Sequence, residues 1–418
     1  MTAEKFLRRV FGDDPGDFRV ECYDGSTVGR DDVATVLRIT SPDFFRRVII
    51  GRGSELAFSR AFVAGDIEID GSIYDVLSVR DRVGAISVDR ELISEVAGLL
   101  GIEKASDLRN QTLPPIPPEE ARMKGKLHSR QRDSDSISSH YDVSNEFYQL
   151  FLDATMTYSC AVFETEMYTL EQAQTNKYDL ICRKLGLAPG MRLLDIGCGW
   201  GGMVIHAAKN YGVDAVGVTI SKEQLELAEK RVAAAGLTDK IELRLQDYRD
   251  IKDGPFDAVS SIGMFEHVGE ARLGEYFGRI ESLLRPGGRL LNHSISWGVD
   301  QGRSNIDPKG FMARYVFPDG ELLEPGQVVS AINANGFEAR HMESFREHYA
   351  RTLRFWVDSL EANWDEAVRL TSPGRARVWR LYMAASAVAF EENALTLMQV
   401  LATKTVDGKS DMPLRIDW

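Results

Sequence analysis

The stretch Arg192-Leu-Leu-Asp-Ile-Gly-Cys-Gly-Trp-Gly-Gly202 decides the fold of this chain. Its apolar first half predicts a short buried strand, and its glycines predict a tight turn into a helix over Met203–Tyr211. Glycines let a ligand approach the backbone closely, and the first turn of a helix offers free N–H donors. We therefore expect a ligand site at this turn.

Strands and helices alternate on the C-terminal side of the turn. Apolar and β-branched runs predict four more strands, at Ala215–Thr219, Ile241–Leu245, Phe256–Ile262 and Arg289–Ser296, and Lys222–Ala235 predicts a helix after the first of them. Such alternation is typical of a parallel sheet wound on both faces, the α/β class. Ligands on these sheets bind at the carboxyl ends of the strands.

The glycine spacing by itself leaves two ligand classes open. Gly197, Gly199 and Gly202 also fit the GxGxxG pattern of dinucleotide folds. Those folds place an acidic residue at the tip of the second strand, where this chain has the neutral Thr219. Asp195 heads the motif instead, where it can order the loop and lie near a cationic ligand. These features favour S-adenosylmethionine (SAM), a sulfonium, over a nicotinamide.

The tip of the third strand favours the same ligand. It carries Gln246-Asp-Tyr248, an acceptor beside an aromatic ring. Asp247 is suited to accept the amino N–H of an adenine, and Tyr248 is suited to stack on its ring. A tight packing turn without a ligand is the alternative interpretation of the glycines.

The composition excludes several classes of protein. The 418 residues include 50 Lys plus Arg and 63 Asp plus Glu, so the net charge is 50 − 63 = −13, which disfavours a nucleic-acid binder. A run of about 18 apolar residues is absent, so no membrane span is predicted, and we find no signal peptide. The cysteines have no CxxC pair or metal-ligand spacing, which indicates reduced thiols in a cytoplasmic protein without a metal site: Cys22, Cys160, Cys182 and Cys198.

The length predicts two domains, 1–110 and 140–418, joined by a linker over 111–139. The linker contains Pro114-Pro-Ile-Pro-Pro118 and several basic residues, which extend and solvate a chain. A surface loop within one domain is the alternative. The first domain is predicted to be small and α+β, with strands at Phe18–Tyr23 and Ala34–Thr40, a strand and turn over Ala61–Gly71, and a helix over Leu92–Leu100.

Further motifs follow one another in order between about Ser139 and Lys404: Tyr141-Asp-Val-Ser-Asn145, Tyr158-Ser-Cys160, Val218-Thr-Ile-Ser-Lys-Glu-Gln224, Gly263-Met-Phe-Glu-His-Val-Gly269, His293-Ser-Ile295 and His348-Tyr349. Together with the glycine turn, this set closely resembles the cyclopropane fatty acid synthase family, which includes the mycolic acid methyltransferases. The resemblance implies a class I SAM-dependent methyltransferase with a Rossmann-like, doubly wound, seven-stranded sheet. Phe337–Phe345 and Leu395–Lys404 are then expected to add the antiparallel strands that close such sheets.

The resemblance also implies a site, position by position. The methyl donor would contact Tyr158, Ser159, Gly197, Gly199, Thr219 and Gln224, with Asp247 and Tyr248 at its adenine. The family holds a bicarbonate ion in its active site, and the implied ligands are the backbone at Cys160, Glu266, His293, the backbone at Ile295, and Tyr349. Cys160 would then not be a nucleophile.

Three of these residues also have an ordinary interpretation. Glu266 follows the fourth strand, where a carboxylate is favoured at the start of a helix. His293 lies in an apolar strand, where a buried polar group is normally satisfied, and Tyr349 is explained equally well as a core residue with a bonded hydroxyl. Our hypothesis is that the three side chains hold an anionic base beside a substrate cation.

The implied reaction is methyl transfer to the cis double bond of an unsaturated fatty acyl chain of a phospholipid. Loss of a proton from the new methyl group closes a cyclopropane. A preceding hydride shift leaves a methylene branch instead, as in the tuberculostearic branch of the family, which the ending Met412–Trp418 resembles. A small-molecule methyltransferase and a non-catalytic lipid-binding module are the alternatives. The insertion at about 298–335, with the apolar run Phe311–Phe317, is either an acyl tunnel or ordinary domain packing.

A lipid substrate implies a peripheral protein on the inner face of the cell membrane. The net charge opposes anionic lipid, so local basic patches would have to supply the attraction, and the candidates are Arg8-Arg9, Arg46-Arg47 and Lys124–Arg132. Solvated surface charge is the alternative. The first domain is expected to aid lipid docking or form a homodimer, and a methylene product would make a downstream reductase a partner.

Overall fold

The computed structural model describes residues 3–51, 53–80, 89–102, 114–121, 132, 143–299, 307–416 and 418. They belong to two compact units. The first unit comprises Met1–Arg122, Asp307–Pro318 and Thr371–Val388, and the second comprises Met123–Ile306, Asp319–Leu370 and Ala389–Trp418. Two segments that the sequence assigns to the catalytic domain, Asp307–Pro318 and Thr371–Val388, are therefore part of the first unit.

The described residues form helices and strands in both units, and the two types alternate most regularly between β5 and β9. In order they are α1 (Glu4–Phe11), β1 (Phe18–Cys22), β2 (Thr27–Val28), β3 (Thr35–Ile39), α2 (Asp43–Ile50), α3 (Glu55–Ala64), β4 (Ile67–Asp70), α4 (Ile73–Leu77), α5 (Arg90–Leu99), α6 (Asn145–Gln149), α7 (Leu170–Leu185), β5 (Arg192–Ile196), α8 (Gly202–Tyr211), β6 (Asp214–Thr219), α9 (Lys222–Ala234), β7 (Ile241–Leu245), β8 (Phe256–Ile262), α10 (Leu273–Leu283), β9 (Leu284–Trp297), α11 (Phe311–Tyr315), α12 (Pro325–Ala334), β10 (Glu338–Ser344), α13 (Arg346–Ala362), α14 (Trp364–Leu370), α15 (Pro373–Glu391) and β11 (Leu395–Thr403).

The first unit contains a four-stranded mixed sheet in the order β2-β1-β3-β4. The predicted strands near Phe18–Tyr23 and Ala34–Thr40 and the helix over Leu92–Leu100 are confirmed as β1, β3 and α5. The prediction of a strand starting at Ala61 is wrong, because Ala61 lies in helix α3 and the strand is only β4. The physical reason is capping: the Ser54 hydroxyl accepts the Ala57 N–H at the start of α3, and Gly65 ends the helix in the left-handed conformation.

The two returning segments pack inside the first unit. In α15, Arg380 donates to the carbonyls of Ile69 (3.3 Å) and Gly71 (3.0 Å) at the end of β4. In α11, the rings of Phe311 and Tyr315 stack at 5.4 Å, and both residues are buried. The apolar run Phe311–Phe317 therefore belongs to the packing of the first unit, which favours ordinary domain packing over an acyl tunnel.

Part of the predicted linker is packed rather than extended. Glu120 is buried and accepts two hydrogen bonds of 2.7 Å from Arg60 and one of 3.3 Å from the Tyr315 hydroxyl. Arg47 donates to the carbonyl of Pro115 at 3.0 Å. Residues 114–121 are thus fixed to the first unit, and the rest of 111–139, apart from residue 132, lies outside the described residues.

The basic pairs that the sequence offers for membrane contact are neutralised by neighbouring carboxylates. The pairs are Arg8 with Glu4 and Asp13, Arg9 with Asp89, Arg46 with Asp43, and Arg47 with Asp66. Arg47 is also buried. This pairing favours the alternative interpretation, ordinary surface charge, at Arg8-Arg9 and Arg46-Arg47. Lys124–Arg132 lies outside the described residues except for Arg132, which forms a bidentate ion pair with Asp319.

The second unit contains a seven-stranded sheet in the order β10-β11-β9-β8-β5-β6-β7. β9, β8, β5, β6 and β7 run parallel, and β11 is antiparallel to both β9 and β10. Helices cover both faces, since Leu193 of β5 packs with α7 and α8 and its neighbour Leu194 packs with α10. The predicted doubly wound sheet of a class I methyltransferase, with its closing strands β10 and β11, is confirmed.

Within the described residues, no helix is both long and apolar enough to cross a bilayer. The four cysteines all fall among the described residues and are buried free thiols.

Candidate active site

A cavity opens at the carboxyl edge of the parallel strands of the second unit. Its wall is formed by the residues that follow β5, β6, β7 and β8, together with Met156–Ser159. All nine residues that the sequence predicts for the donor site lie in this wall: Tyr158, Ser159, Asp195, Gly197, Gly199, Thr219, Gln224, Asp247 and Tyr248. The topology explains why, because the ends of neighbouring parallel strands meet at one edge.

The glycine turn closes tightly over this edge. Gly197 and Gly199 have φ of 77° and 52°, in the left-handed region that favours glycine. The amides of Gly197 and Cys198 both donate to the carbonyl of Val218 at 3.0 Å, which fixes the turn to β6. A Cβ at position 197 would lie 3.0 Å from the Cβ of Met264 across the cavity. Gly197 is therefore required by both backbone conformation and space.

Asp195 lies at the start of the glycine turn and is bonded to the neighbouring strand β8. Its carboxylate is buried and accepts a hydrogen bond of 2.7 Å from the Ser260 hydroxyl of β8. Burial raises the pKa of Asp195 to about 6. The Ser260 hydroxyl thus fixes the carboxylate in the cavity wall, and its role toward a cationic ligand stays a prediction.

The structure adds a buried cation that sequence reasoning missed. Lys177 of α7 is fully buried, and its ammonium donates to the hydroxyl of Ser159 at 2.7 Å. Burial lowers the pKa of Lys177 to about 7. In the sequence Lys177 looks like one of several solvated charges on a helix, so no local signal distinguishes it. Because a lysine only donates, the Ser159 hydroxyl proton is left to point elsewhere, including into the cavity.

Two side-chain pairs shape the far side of the cavity. The Thr219 hydroxyl donates to Gln224 Oε1 at 2.8 Å, and both side chains are buried. Arg249, also missed in the sequence, binds both oxygens of Asp247, with its Nε 2.9 and 3.0 Å from them. The backbone N–H of Arg249 also donates to Asp247 Oδ1 at 2.9 Å, so the Asp247 carboxylate is held firmly in place in the cavity wall.

Aromatic rings connect the donor cavity to Tyr349. Tyr158 in the cavity wall stacks on Trp356 with ring centroids 5.1 Å apart and planes 28° apart. The Trp356 ring meets Tyr349 edge-on at 6.1 Å, and Tyr349 lies 4.7 Å from the ring of Phe390. We call these four side chains the aromatic cluster. Tyr158 is the member of this cluster that lines the donor cavity, and the other three rings extend from it toward Tyr349 and Phe390.

The five residues predicted to hold a base lie next to the cavity rather than in its wall. Glu266 directly precedes His267 of the wall, and the carbonyl of His293 accepts the N–H of Gly263, another wall residue, at 2.9 Å. Cys160 follows Ser159 and donates its thiol toward the carbonyl of Phe345 at 3.7 Å. Burial raises the pKa of Cys160 far above its usual range, so its thiol stays protonated.

Glu266 and Ile295 form a direct contact. The Ile295 N–H donates to Glu266 Oε1 at 2.6 Å, so this amide already has the carboxylate as its partner. The Ile295 N–H therefore orients Glu266, and the role of the Ile295 backbone as a ligand of the ion stays a prediction. Burial raises the pKa of Glu266 from 4.5 to about 7.

Two buried polar atoms of this group lack a partner. Within the described part of the chain, Glu266 Oε2 and His293 Nε2 are shielded from solvent and form no hydrogen bond. The other ring nitrogen of His293, Nδ1, lies 3.2 Å from Gln399 Nε2. Buried polar atoms are normally paired, so an unpaired acceptor and an unpaired ring nitrogen indicate a place for a small polar group.

This fold and cavity define a class I SAM-dependent methyltransferase. The family described as mycolic acid cyclopropane synthetase matches residues 128–400 of the chain. The chain therefore belongs to the mycolic acid cyclopropane synthetase family, as the motifs predicted.

Relatives agree with this assignment over different lengths. A probable fatty acid methyltransferase of Mycobacterium tuberculosis is 45% identical over 95% of this chain and 93% of its own length. A cyclopropane-fatty-acyl-phospholipid synthase of Escherichia coli is 34% identical over 89% of this chain and 88% of its own. The crystal structure of the mycolic acid cyclopropane synthase CmaA1 with SAH and CTAB is 35% identical and covers 65% of this chain and 98% of that one, with a TM-score of 0.61.

Proposed function

We propose that this enzyme transfers the methyl group of SAM to the cis double bond of unsaturated fatty acyl chains in phospholipids and closes a cyclopropane ring. The names of two relatives support the substrate class, since one is a fatty acid methyltransferase and the other a cyclopropane-fatty-acyl-phospholipid synthase. The CmaA1 crystal contains CTAB, whose long alkyl chain is of the same chemical kind as an acyl tail.

The chemistry requires a dry, aligned site. An alkene is a weak nucleophile and has no proton to lose beforehand, so the sulfonium methyl must be held against the double bond. Transfer leaves a carbocation on the acyl chain. The aromatic cluster supports this step, because each π face that meets the cation stabilises it by roughly 0.5–2 kcal/mol. Tyr158 belongs both to this cluster and to the donor cavity.

The observation that carries the proposal is that two buried polar atoms, Glu266 Oε2 and His293 Nε2, form no hydrogen bond within the described residues. A bicarbonate ion fits it, because the ion offers both a hydroxyl donor and acceptor oxygens. Glu266, His293 and Tyr349 would hold this ion, which supplies a base for the proton that the cation loses. The chain's own part is to bind and orient: Ile295 fixes the Glu266 carboxylate, and burial keeps water away from both atoms.

A methylene-branched chain is the second candidate product. The relative with 45% identity is named a fatty acid methyltransferase without mention of a ring. A hydride shift before the same proton loss would give this product, and a reductase would then be needed to convert the methylene group into a methyl branch.

The proposed substrate lies in a bilayer, so we also propose a peripheral association with the inner membrane face. Arg8, Arg9, Arg46 and Arg47 are each paired with a carboxylate, which reduces the attraction that they can exert on anionic lipid. Lipid docking or homodimer formation by the first unit remains a proposal, and a vesicle-flotation assay with this chain tests the docking directly.

The test is a labelled turnover experiment. The purified full chain is incubated with SAM carrying a CD₃ group and with vesicles of a cis-monounsaturated phosphatidylethanolamine. We expect one carbon added per double bond, two of three deuterium atoms retained, and NMR signals of a ring rather than of a vinylidene group. The Glu266→Gln variant should lose about 10²–10⁴-fold in turnover, whereas the exposed-site variant Glu226→Gln serves as the matched control. Methylation of a polar small molecule but not of the vesicles would overturn the proposal.

A further inference from the structure

Three polar side chains form a row across neighbouring strands of the second unit. Gln399 of β11 lies directly opposite His293 of β9 and also directly opposite Glu343 of β10. Lys184, near the end of α7, reaches over this row. His293, Gln399 and Lys184 are all buried, and Glu343 connects the row to the surface with 39% of its side chain exposed.

The row is joined by a continuous set of hydrogen bonds. The Lys184 ammonium donates to Glu343 Oε2 at 2.5 Å and to Gln399 Oε1 at 2.8 Å. The Gln399 amide nitrogen lies 3.2 Å from His293 Nδ1. A buried polar network of this kind costs stability unless every member is satisfied, so its presence in a core strand calls for an explanation.

The direction of these bonds follows from the donors alone. An ammonium has protons but no lone pair, so it can face only the oxygen of the Gln399 amide. The NH₂ group of the same amide must then face His293. An NH₂ group donates, so His293 Nδ1 must be the acceptor, and the single ring proton must sit on Nε2.

The charges around His293 act in the same direction. Burial lowers the pKa of His293 well below its usual value, and the nearby ammonium groups of Lys177 and Lys184 lower it further. The ring is therefore neutral at physiological pH and carries one proton only. Its unpaired atom, Nε2, is therefore a buried donor, and Glu266 Oε2 is a second buried polar atom without a partner in the described part of the chain.

We infer that Lys184 and Gln399 are positioning residues that lock His293 in the Nε2–H tautomer. With this tautomer His293 presents a donor two residues before Ile295, whose N–H binds Glu266. A donor from His293 and an acceptor from Glu266 together complement an ion that has both acceptor and donor oxygens. Lys184 and Gln399 touch neither the donor nor the acyl chain in this scheme. The nature of the bound ion rests on the proposed function, but the tautomer is a property of the protein alone.

The test reads the tautomer directly. The full chain is labelled with ¹⁵N-histidine, and the ring nitrogens are observed by long-range ¹H–¹⁵N correlation without acyl substrate; a His293→Gln sample assigns the signals. We expect Nε2 at the pyrrole-type and Nδ1 at the pyridine-type ¹⁵N shift. Gln399→Glu replaces the donor with an acceptor, so the proton should move to Nδ1. Lys184→Met frees the amide to rotate, so both tautomers should be populated.

Controls separate this inference from a structural role and from the proposed function. Lys404→Met is the control for removing a lysine outside the row. The Lys404 ammonium donates to the main-chain carbonyls of Glu281 and Leu284, so this variant should leave the His293 signals unchanged. Turnover should fall about 10–100-fold in Gln399→Glu, the range typical of partners that orient a ligand side chain. A wild-type proton on Nδ1, or an unchanged tautomer in Gln399→Glu and Lys184→Met, would overturn the inference. A correct tautomer without lipid methylation would refute only the proposed function.

Discussion

Replacing Glu266 by Gln should make the second unit more stable while it removes activity. Burial raises the pKa of Glu266 from 4.5 to about 7, so the folded state resists ionisation of this group. The unfolded chain loses its proton near pH 4.5, and the folded chain near pH 7. Wild-type stability therefore falls as the pH rises through this window. The difference amounts to at most about 3 kcal/mol, since a tenfold change in proton affinity is worth about 1.4 kcal/mol.

Glutamine keeps an oxygen for the Ile295 N–H and carries no charge, so the variant escapes this loss. We expect the stability of Glu266→Gln relative to wild type to increase by up to about 3 kcal/mol between pH 4.5 and pH 8. Urea unfolding at several pH values measures it, using the transition that a SAM analogue shifts, because that transition belongs to the donor-binding unit. Glu226→Gln reports the effect of removing one exposed negative charge. A stability difference independent of pH would refute the reasoning.

Two further predictions concern the donor site. Lys177→Met removes the ammonium that binds the Ser159 hydroxyl and should weaken SAM binding about tenfold or more, measured by calorimetry, because a hydrogen bond to a charged group contributes about 1.5–3 kcal/mol. Gly197→Ala should abolish SAM binding and cost about 1–2 kcal/mol or more of stability, since φ is 77° and the new Cβ meets Met264. Gly236→Ala is the control, because Gly236 has a similar φ of 68° but open space around the added Cβ. This variant should lose stability but bind SAM normally. Equal losses of SAM binding in the two glycine variants would contradict the steric argument.

The sheet of the second unit was predictable because its signals are local. Each predicted strand is a short apolar run between turn residues, and the edge where ligands bind follows from the parallel order alone. Gly197, Thr219 and Asp247 fall into the same cavity for that reason. The bounds of β5, β7 and β8 match the predicted runs, whereas β9 begins at Leu284 instead of the predicted Arg289, because the strand continues through Gly287 and Gly288.

The residues that sequence reasoning missed act through tertiary contacts. Lys177 and Lys184 look like solvated charges on a helix, yet both are buried, one on Ser159 and the other on Gln399. Gln399 lies in an otherwise apolar strand, and its role depends on β11 lying next to β9. The order of strands in a sheet cannot be deduced from a short stretch of sequence, so this network could be found only in the three-dimensional structure.

The return of α15 and of Asp307–Pro318 to the first unit has a practical consequence for anyone who shortens this protein. A cut near residue 110 would strip β4 from Arg380 and leave the buried face of α15, with Trp379 and Met383, open to water. The product would be an aggregation-prone fragment rather than a smaller enzyme. Loss of activity in such a fragment would therefore give no information about lipid recognition. The solved neighbour CmaA1 matches only 65% of this chain. A match over about two thirds of the chain is therefore no guide to where this chain can be cut.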